Sequence, residues 1–409
     1  MKLKELCFFV LVLTFSISQA QITFEKIILS DVFVGEGVSV GDFNKDGNLD
    51  VSAGPYLWMG PDFKSPTRVG PSGEASYATN KYAYYYMQVR PHDINNDGWL
   101  DIPIQRKLQN LYWLKNPGNE NQGGLWEEYD MGRGMGGESA QFYPLFNVNK
   151  DVLIAAYNFE EPNWGPLSWS EFDITKNEWV WHIISEKRYK HNSHGLGIGD
   201  VNGDGRNDIL AIDGWYEQPK SIEGDPLWVY HEFLFSFNPY NSKGNIGGTH
   251  MFLDDLDGDG DGDIVYGLEA HGWGMAWFEQ IKVEGNITFK PHMIMGTNKE
   301  LDKYNGVGFS QLHSLGYVDL DGDGLKDIVT GKRHFAHHGR DADGHGQAVL
   351  YWFKQVRDAN GTSFIPKLID DSAGSGCTLE EQKDINGDGY PDIVTSSKKG
   401  TYIYLTKGH

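Results

Sequence analysis

A nine-residue pattern, Asp-x-Asp/Asn-x-Asp-Gly-x-x-Asp, constrains the fold of this chain more than any other feature. It occurs six times: "DFNKDGNLD" from Asp42, "DINNDGWLD" from Asp93, "DVNGDGRND" from Asp200, "DLDGDGDGD" from Asp255, "DLDGDGLKD" from Asp319 and "DINGDGYPD" from Asp384. The first aspartates are 51, 107, 55, 64 and 65 residues apart, so one interval has double length and predicts a seventh unit. That unit is present in worn form as "ESAQFYPLFNVNKDVLIAAY", which keeps a strand on each side of a short loop that has lost its acids. Seven units of roughly fifty to sixty residues indicate a propeller or a solenoid.

Each unit adds strands around its loop. An alternating apolar strand precedes the loop and "DIV" or "DIL" follows it. An aromatic strand comes next, such as "LYWLKNPG", "GWYEQP", "MAWFEQ" or "LYWFKQ". An outer strand completes the set: "WVWHII" from Trp179, "FKPHMI" from Phe289 and "FIPKLI" from Phe364. A matching "FEKIIL" from Phe24 precedes the first loop with no unit ahead of it, and the last unit has three strands. The expectation is an all-β, seven-bladed β-propeller closed by the N-terminal strand Phe24 to Leu29, which covers sheet edges that an open array exposes.

Alternating carboxylate and amide oxygens around a turn glycine form the oxygen-rich cage that Ca²⁺ prefers. Six structural calcium sites are expected, with ligands at the first, third, fifth and ninth positions. These are Asp42, Asn44, Asp46 and Asp50; Asp93, Asn95, Asp97 and Asp101; Asp200, Asn202, Asp204 and Asp208; Asp255, Asp257, Asp259 and Asp263; Asp319, Asp321, Asp323 and Asp327; and Asp384, Asn386, Asp388 and Asp392. The EF-hand's terminal glutamate is missing, so these are hairpin loops that take the place of cross-links. Cross-links are needed because the two cysteines are Cys7 and Cys377, and Cys7 lies in a leader.

The leader is the run Lys2, Lys4, then apolar "CFFVLVLTFSI", then "SQA", which has the order of a cleaved secretory signal over residues 1–20. The propeller is expected over 21–409, exported to the periplasm or beyond. The apolar run is too short to span a bilayer. A formal net charge of −22 repels nucleic acid and anionic lipid, which excludes both as partners. Oligomeric state is left open.

In each unit the strand before the loop and the strand after it are antiparallel, so the far ends of both meet at one face. Five or six residues before the first aspartate stand Glu36, Gln88, His194, His250, His313 and Thr378. Thirteen to sixteen after it stand Tyr56, Arg106, Asp213, Glu269, His271, Lys332, His334 and Lys398. Imidazoles with a carboxylate are a ligand set for Zn²⁺ or a similar metal, so His194, His250, Glu269 and His271 are the candidate catalytic metal ligands. The same groups also suit metal-free acid and base chemistry.

The combination "HGLGIGDVNGDGRNDIL" with "GWYEQP", "HMFLDDLDGDGDGDIV" with "EAHGWGMAWFEQ", and "QLHSLGYVDLDGDGLKDIVTGKRHFAHH" with "LYWF" resembles the propeller of aldos-2-ulose dehydratase and its bacterial relatives, from about Gly37 to Lys399. The loops alone indicate only the wider FG-GAP or VCBS repeat class. The resemblance implies a lyase acting on keto-sugars such as 1,5-anhydrofructose, with a metal in the propeller site and further divalent ions in the loops. On that reading His313 or His334 is the base and Lys332 protonates the leaving group or stabilises the oxyanion. Arg106, Tyr56 and Trp273 meet the sugar. Two alternatives stand beside it: a polysaccharide lyase in which Arg106 or Lys332 neutralises a uronate, and a non-catalytic carbohydrate-binding propeller that stacks sugars on Trp58 and Trp273.

Overall fold

The computed structural model describes residues 22–71, 87–106, 110–120, 123–133, 139–146, 151–156, 165–186, 194–235 and 247–408. The leader and the shortened loop of the third unit, at 147–150, lie outside the described residues. Among the described residues no helix is long and apolar enough to cross a membrane.

The strands form seven four-stranded antiparallel sheets, the blades of a β-propeller. Blade 1 runs Val38–Gly41, Asp50–Ala53, Tyr56–Trp58 and Thr67–Arg68; blade 2 runs Met87–Gln88, Ile102–Arg106, Asn110–Lys115 and Glu127–Arg133. Blade 3 runs Gln141–Tyr143, Val152–Ala156, Leu167–Asp173 and Glu178–Ile183; blade 4 runs Leu196–Gly199, Asp208–Ala211, Gly214–Glu217 and Val229–Glu232. Blade 5 holds Phe252–Asp254, Asp263–Gly267, Met275–Val283 and Asn286–Met295; blade 6 holds Leu315–Val318, Asp327–Gly331, Leu350–Asp358 and Gly361–Asp370. Blade 7 takes Leu379–Lys383, Asp392–Ser397 and Gly400–Lys407 from the end of the chain and its outer strand, Thr23–Ser30, from the start. Thr23 pairs with Lys407 and Ser30 with Thr401, so the N-terminal strand closes the ring as expected. Lys26 adds an ion pair of 2.6 Å to Asp370 of blade 6.

The "DIV" motif owes its form to the packing. A blade between two others is covered on both faces, so successive side chains of its second strand, which point to opposite faces, must both be apolar. Ile264 packs toward blade 4 and Val265 toward blade 6; Ile393 packs toward blade 6 and Val394 toward blade 1. The described residues form seven hydrophobic clusters, one in each seam between adjacent blades. Burying the two seam faces is the main stabilising term, at roughly 25 cal/mol per Å² of apolar surface.

The aspartate preceding each such pair has a task beyond the ligand role expected of it. Asp50, Asp101, Asp208, Asp263, Asp327 and Asp392 are fully buried. One oxygen of Asp208 accepts the N–H of Val201 in its own loop at 3.0 Å, and the other accepts the N–H of Gln218 beyond the third strand at 2.9 Å. Asp50, Asp263 and Asp392 repeat the arrangement. Each therefore ties loop, second strand and third strand together. The first aspartate organises the turn: Asp200 accepts the N–H groups of Asp204 and Gly205, with Gly205 at φ +86°.

Candidate active site

Strand register decides which residues of different blades are equivalent. Gly199 faces Asp208, Asp254 faces Asp263 and Val318 faces Asp327. Five residues before these stand His194, Thr249 and His313. His250 is displaced by one and corresponds to Gly195 and Ser314. Because side chains alternate along a strand, a slip of one residue turns a side chain to the other side.

The structure brings His194, His271 and His313 together from blades 4, 5 and 6. One ring nitrogen of each lies within 4.8 Å of the others. Their ring centroids are 5.3 Å (His194 to His271), 5.3 Å (His194 to His313) and 4.8 Å (His271 to His313) apart. His194 and His313 are buried and His271 is half-buried. Burial, helped by the charge of Arg333, holds His313 well below the usual imidazole value, so it is neutral at physiological pH. Its Nδ1 lies 3.4 Å from the carbonyl of Gln311.

A loop inserted after the second strand of blade 6 completes the cluster. Asp341 Oδ2 lies 2.7 Å from His271 Nδ1 and 2.8 Å from His337 Nδ1. Burial alone raises the Asp341 carboxyl, but the hydrogen bonds and charges of His271 and His337 outweigh it and hold the group well below the usual carboxylate range. His334, Phe335, His337, His338 and Asp343 all have left-handed backbone, with φ between 48° and 62°. Such residues cost of order 1–3 kcal/mol each and persist only where the surroundings fix them. Here Ala342 O accepts from Ser310 Oγ at 2.6 Å and from Gln311 Nε2 at 3.1 Å, and Phe335 N–H donates to Gly344 O at 2.9 Å.

Three imidazoles from adjacent blades, one backed by a carboxylate on its second nitrogen, are a donor set that fits a divalent transition metal. Two members of the expected ligand set require correction. His250 does not join the cluster: its one-residue offset turns it to a cavity among the inner strands that Arg90, Gln141, Tyr143 and Glu381 also line. Burial there, with the charge of Arg90, lowers its pKa to about 4. Glu269 is buried on the same turn as His271, its carboxylate against Gly272, but it too stands outside the three-histidine group. His313, expected as a base, stands among the metal-capable imidazoles.

The other candidates take up varied places. Lys332 has a fully buried side chain; its Nζ donates to Ser310 Oγ at 2.7 Å and to Asp343 Oδ2 at 2.9 Å. The ammonium is thus engaged in an ion pair and a hydrogen bond away from solvent. Burial lowers the Lys332 pKa despite Asp343. His334 is half-buried with Nδ1 2.9 Å from the carbonyl of Gly346, and burial lowers its pKa as well. Tyr56 packs in the seam between blades 7 and 1, with its ring 5.9 Å from that of Trp58, and Trp58 is buried rather than exposed. Trp273 is half-buried and bridges by its backbone to Ser310. Arg106 ends its strand opposite Asn110, and its side chain lies outside the described residues.

Sequence reasoning missed Asp341 and His337. The run "FAHHGRDADGH" carried the signal, but it belongs to an insertion without counterpart in the other units. Also missed was an ion triad joining blades 6, 7 and 1, in which Glu36 meets Arg333 Nη2 at 2.5 Å and Lys398 Nζ.

No protein-family model matches the chain. Integrin alpha-PS2 of Drosophila melanogaster is 26% identical over 184 residues, a stretch that is 39% of this chain and 13% of the integrin. The chain thus spans a small part of that relative's length. Among solved structures, the exotype rhamnogalacturonan lyase YesX aligns over 94% of this chain and 72% of its own, with 14% identity and a TM-score of 0.46.

Proposed function

We propose that the chain is an exported, calcium-stabilised carbohydrate lyase that eliminates the oxygen substituent β to the carbonyl of a keto-sugar, such as 1,5-anhydrofructose or a 3-keto-glycoside. The observation that carries this reading is the convergence of His194, His271 and His313 from three adjacent blades. The motif resemblance to aldos-2-ulose dehydratase, which includes "HGLGIGD", "EAHGWGMAWFEQ" and "TGKRHFAHH", supplies the substrate class.

The residues divide the work as follows. His194, His271 and His313 would hold a divalent metal, zinc being the first candidate, and neutral His313 is already in the ligating form. A metal there supplies Lewis-acid polarisation of the substrate carbonyl, which acidifies the neighbouring C–H. His334 removes that proton. With Nδ1–H directed to Gly346 O, its Nε2 carries the lone pair, and its lowered pKa keeps it neutral. The C–O bond β to the carbonyl then breaks, the departing oxygen takes up a proton from water, His334 returns its proton to solvent, and a carbon–carbon double bond conjugated with the carbonyl remains. Trp273 lies near enough in sequence to His271 to serve as a wall for the sugar ring.

Product analysis tests the substrate class. The protein is incubated separately with 1,5-anhydrofructose, a 3-keto-glycoside and a uronate polymer, and unsaturated products are followed by ultraviolet absorbance and mass spectrometry. A conjugated enone from a neutral keto-sugar is expected. Unsaturated oligosaccharides from the acidic polymer alone, or no product at all, would overturn the proposal in favour of a uronate lyase or a binding propeller.

A further inference from the structure

We infer that Asp341 is a positioning residue for the three-histidine site: it fixes the tautomer of His271 and fastens the blade 6 insertion over the site through His337. The inference rests on the metal reading above. His271 is the one residue shared by two groups of potential ligands, His194–His271–His313 and His271–His337–Asp341. The second group is held at hydrogen-bond lengths, 2.7 Å from Asp341 Oδ2 to His271 Nδ1 and 2.8 Å to His337 Nδ1. Those separations are short for donors spread around an ion and normal for N–H···O⁻ contacts. Asp341 therefore belongs behind the ligand rather than on the ion.

Three consequences follow from an acceptor on Nδ1. The Nδ1–H tautomer is selected, which leaves Nε2 as the lone-pair nitrogen. The ring is held in one orientation, so less rotamer entropy is lost when it ligates. The carboxylate one hydrogen bond behind the ring also places a negative charge near the site, which favours a cation held there. The insertion is built for this placement. Asp341 and Asp343 are anchored to His271 and Lys332 respectively, and Ala342 between them accepts two hydrogen bonds from Ser310 and Gln311. The left-handed run at His334, Phe335, His337 and His338 is the backbone conformation that lets one short loop present these groups together.

The test titrates the full chain, freed of transition metal but kept in calcium, with cobalt(II), reading affinity by calorimetry and ligand geometry by the visible cobalt spectrum. Asp341→Ala should weaken cobalt binding by about 10–100-fold with a changed spectrum. Asp341→Asn, which retains an oxygen acceptor for Nδ1–H, should recover a large part of the loss. His337→Phe leaves the His271–Asp341 bond in place and should change affinity by less than about threefold. Calcium content should match the wild type in all three. Affinity in Asp341→Ala equal to wild type, or an equal loss in His337→Phe, would overturn the positioning role while leaving the metal reading intact. Failure of the wild-type protein to bind cobalt through His271, seen as no difference between it and His271→Ala, would refute the metal reading and this inference with it.

Discussion

The Glu36 triad offers the clearest stability experiment, because it sits where the ring closes. Glu36 belongs to blade 1, Arg333 follows the second strand of blade 6 and Lys398 follows that of blade 7; their side chains are 1%, 0% and 5% exposed. Burial alone raises the Glu36 carboxyl, but the charges of Arg333 and then Lys398 outweigh it and bring the pKa from 4.5 down to about 2. At about 1.4 kcal/mol per pKa unit that is roughly 3 kcal/mol favouring the ionised form in the folded state. Removing one partner of a buried ion pair costs a similar amount, about 3–5 kcal/mol, because the charges left behind lose compensation. Glu36→Gln, which keeps the shape, should therefore destabilise by about 3 kcal/mol at pH 7. For a chain of this size that lowers the melting temperature by roughly 4 °C. The pH sign follows from the lowered pKa. The contribution is complete above the unfolded value near 4.5 and is lost as pH falls toward 2, so wild type and Glu36→Gln should converge in acid. Urea unfolding at pH 7 and pH 3 measures both differences. A loss under about 1 kcal/mol at pH 7, or a gap that does not narrow in acid, would show that the triad does not stabilise the ring closure.

Other predictions follow from the loops, the closing strand and the inner cavity. Chelation should lower the melting temperature and added calcium restore it, monitored by scanning calorimetry. Lys354 contacts Asp321 and Asp323, the latter at 2.8 Å, whereas register places Glu279 at the matching position of blade 5, so the blade 6 loop should bind calcium more weakly than the blade 5 loop. Lys354→Met should tighten calcium at the blade 6 loop about fivefold by calorimetry, equivalent to roughly 1 kcal/mol. Deleting Thr23–Ser30 should expose the edge of Gly400–Lys407 and cause self-association, seen by light scattering. His250 has a folded pKa of about 4, below its unfolded value of 6.5, so the unfolded chain binds the proton first and stability falls as pH drops through that window. His250→Gln should remove roughly 1–2 kcal/mol of the stability lost between pH 7 and pH 4.5, measured by urea unfolding.

The blades were legible because a repeated unit shows its strands many times over, and an orphan outer strand at Phe24 could be matched to the incomplete unit around Gly400. The site was legible only in part. His194, His271 and His313 could be named from their repeat positions, but counting back five or six residues merged two strand faces and drew in His250. Only the backbone pairing separates Thr249, which is equivalent to His194, from His250 beside it. Asp341 and His337 lie in an insertion that no other blade shares, so repeat arithmetic had no counterpart against which to place them. Lys332 illustrates a different limit: its strand position marked it as a mouth residue, but the contacts with Ser310 and Asp343 that seal it come from segments distant from its own strand. The buried ninth aspartates carried no sign of their hydrogen bonds to the third strand, since a ligand and a staple use the same carboxylate.

If the three histidines are the working site and the aspartate loops are scaffold, substitutions in the two must fail in different ways. The most direct measurement is the initial rate of enone formation from a keto-sugar by His194→Ala and Asp204→Ala, each with calcium content and melting temperature determined on the same preparation. Loss of turnover is expected in His194→Ala with calcium and stability near wild type, and in Asp204→Ala a lowered melting temperature with turnover retained in the fraction that remains folded. Full turnover by His194→Ala, or loss of turnover in folded Asp204→Ala, would contradict it.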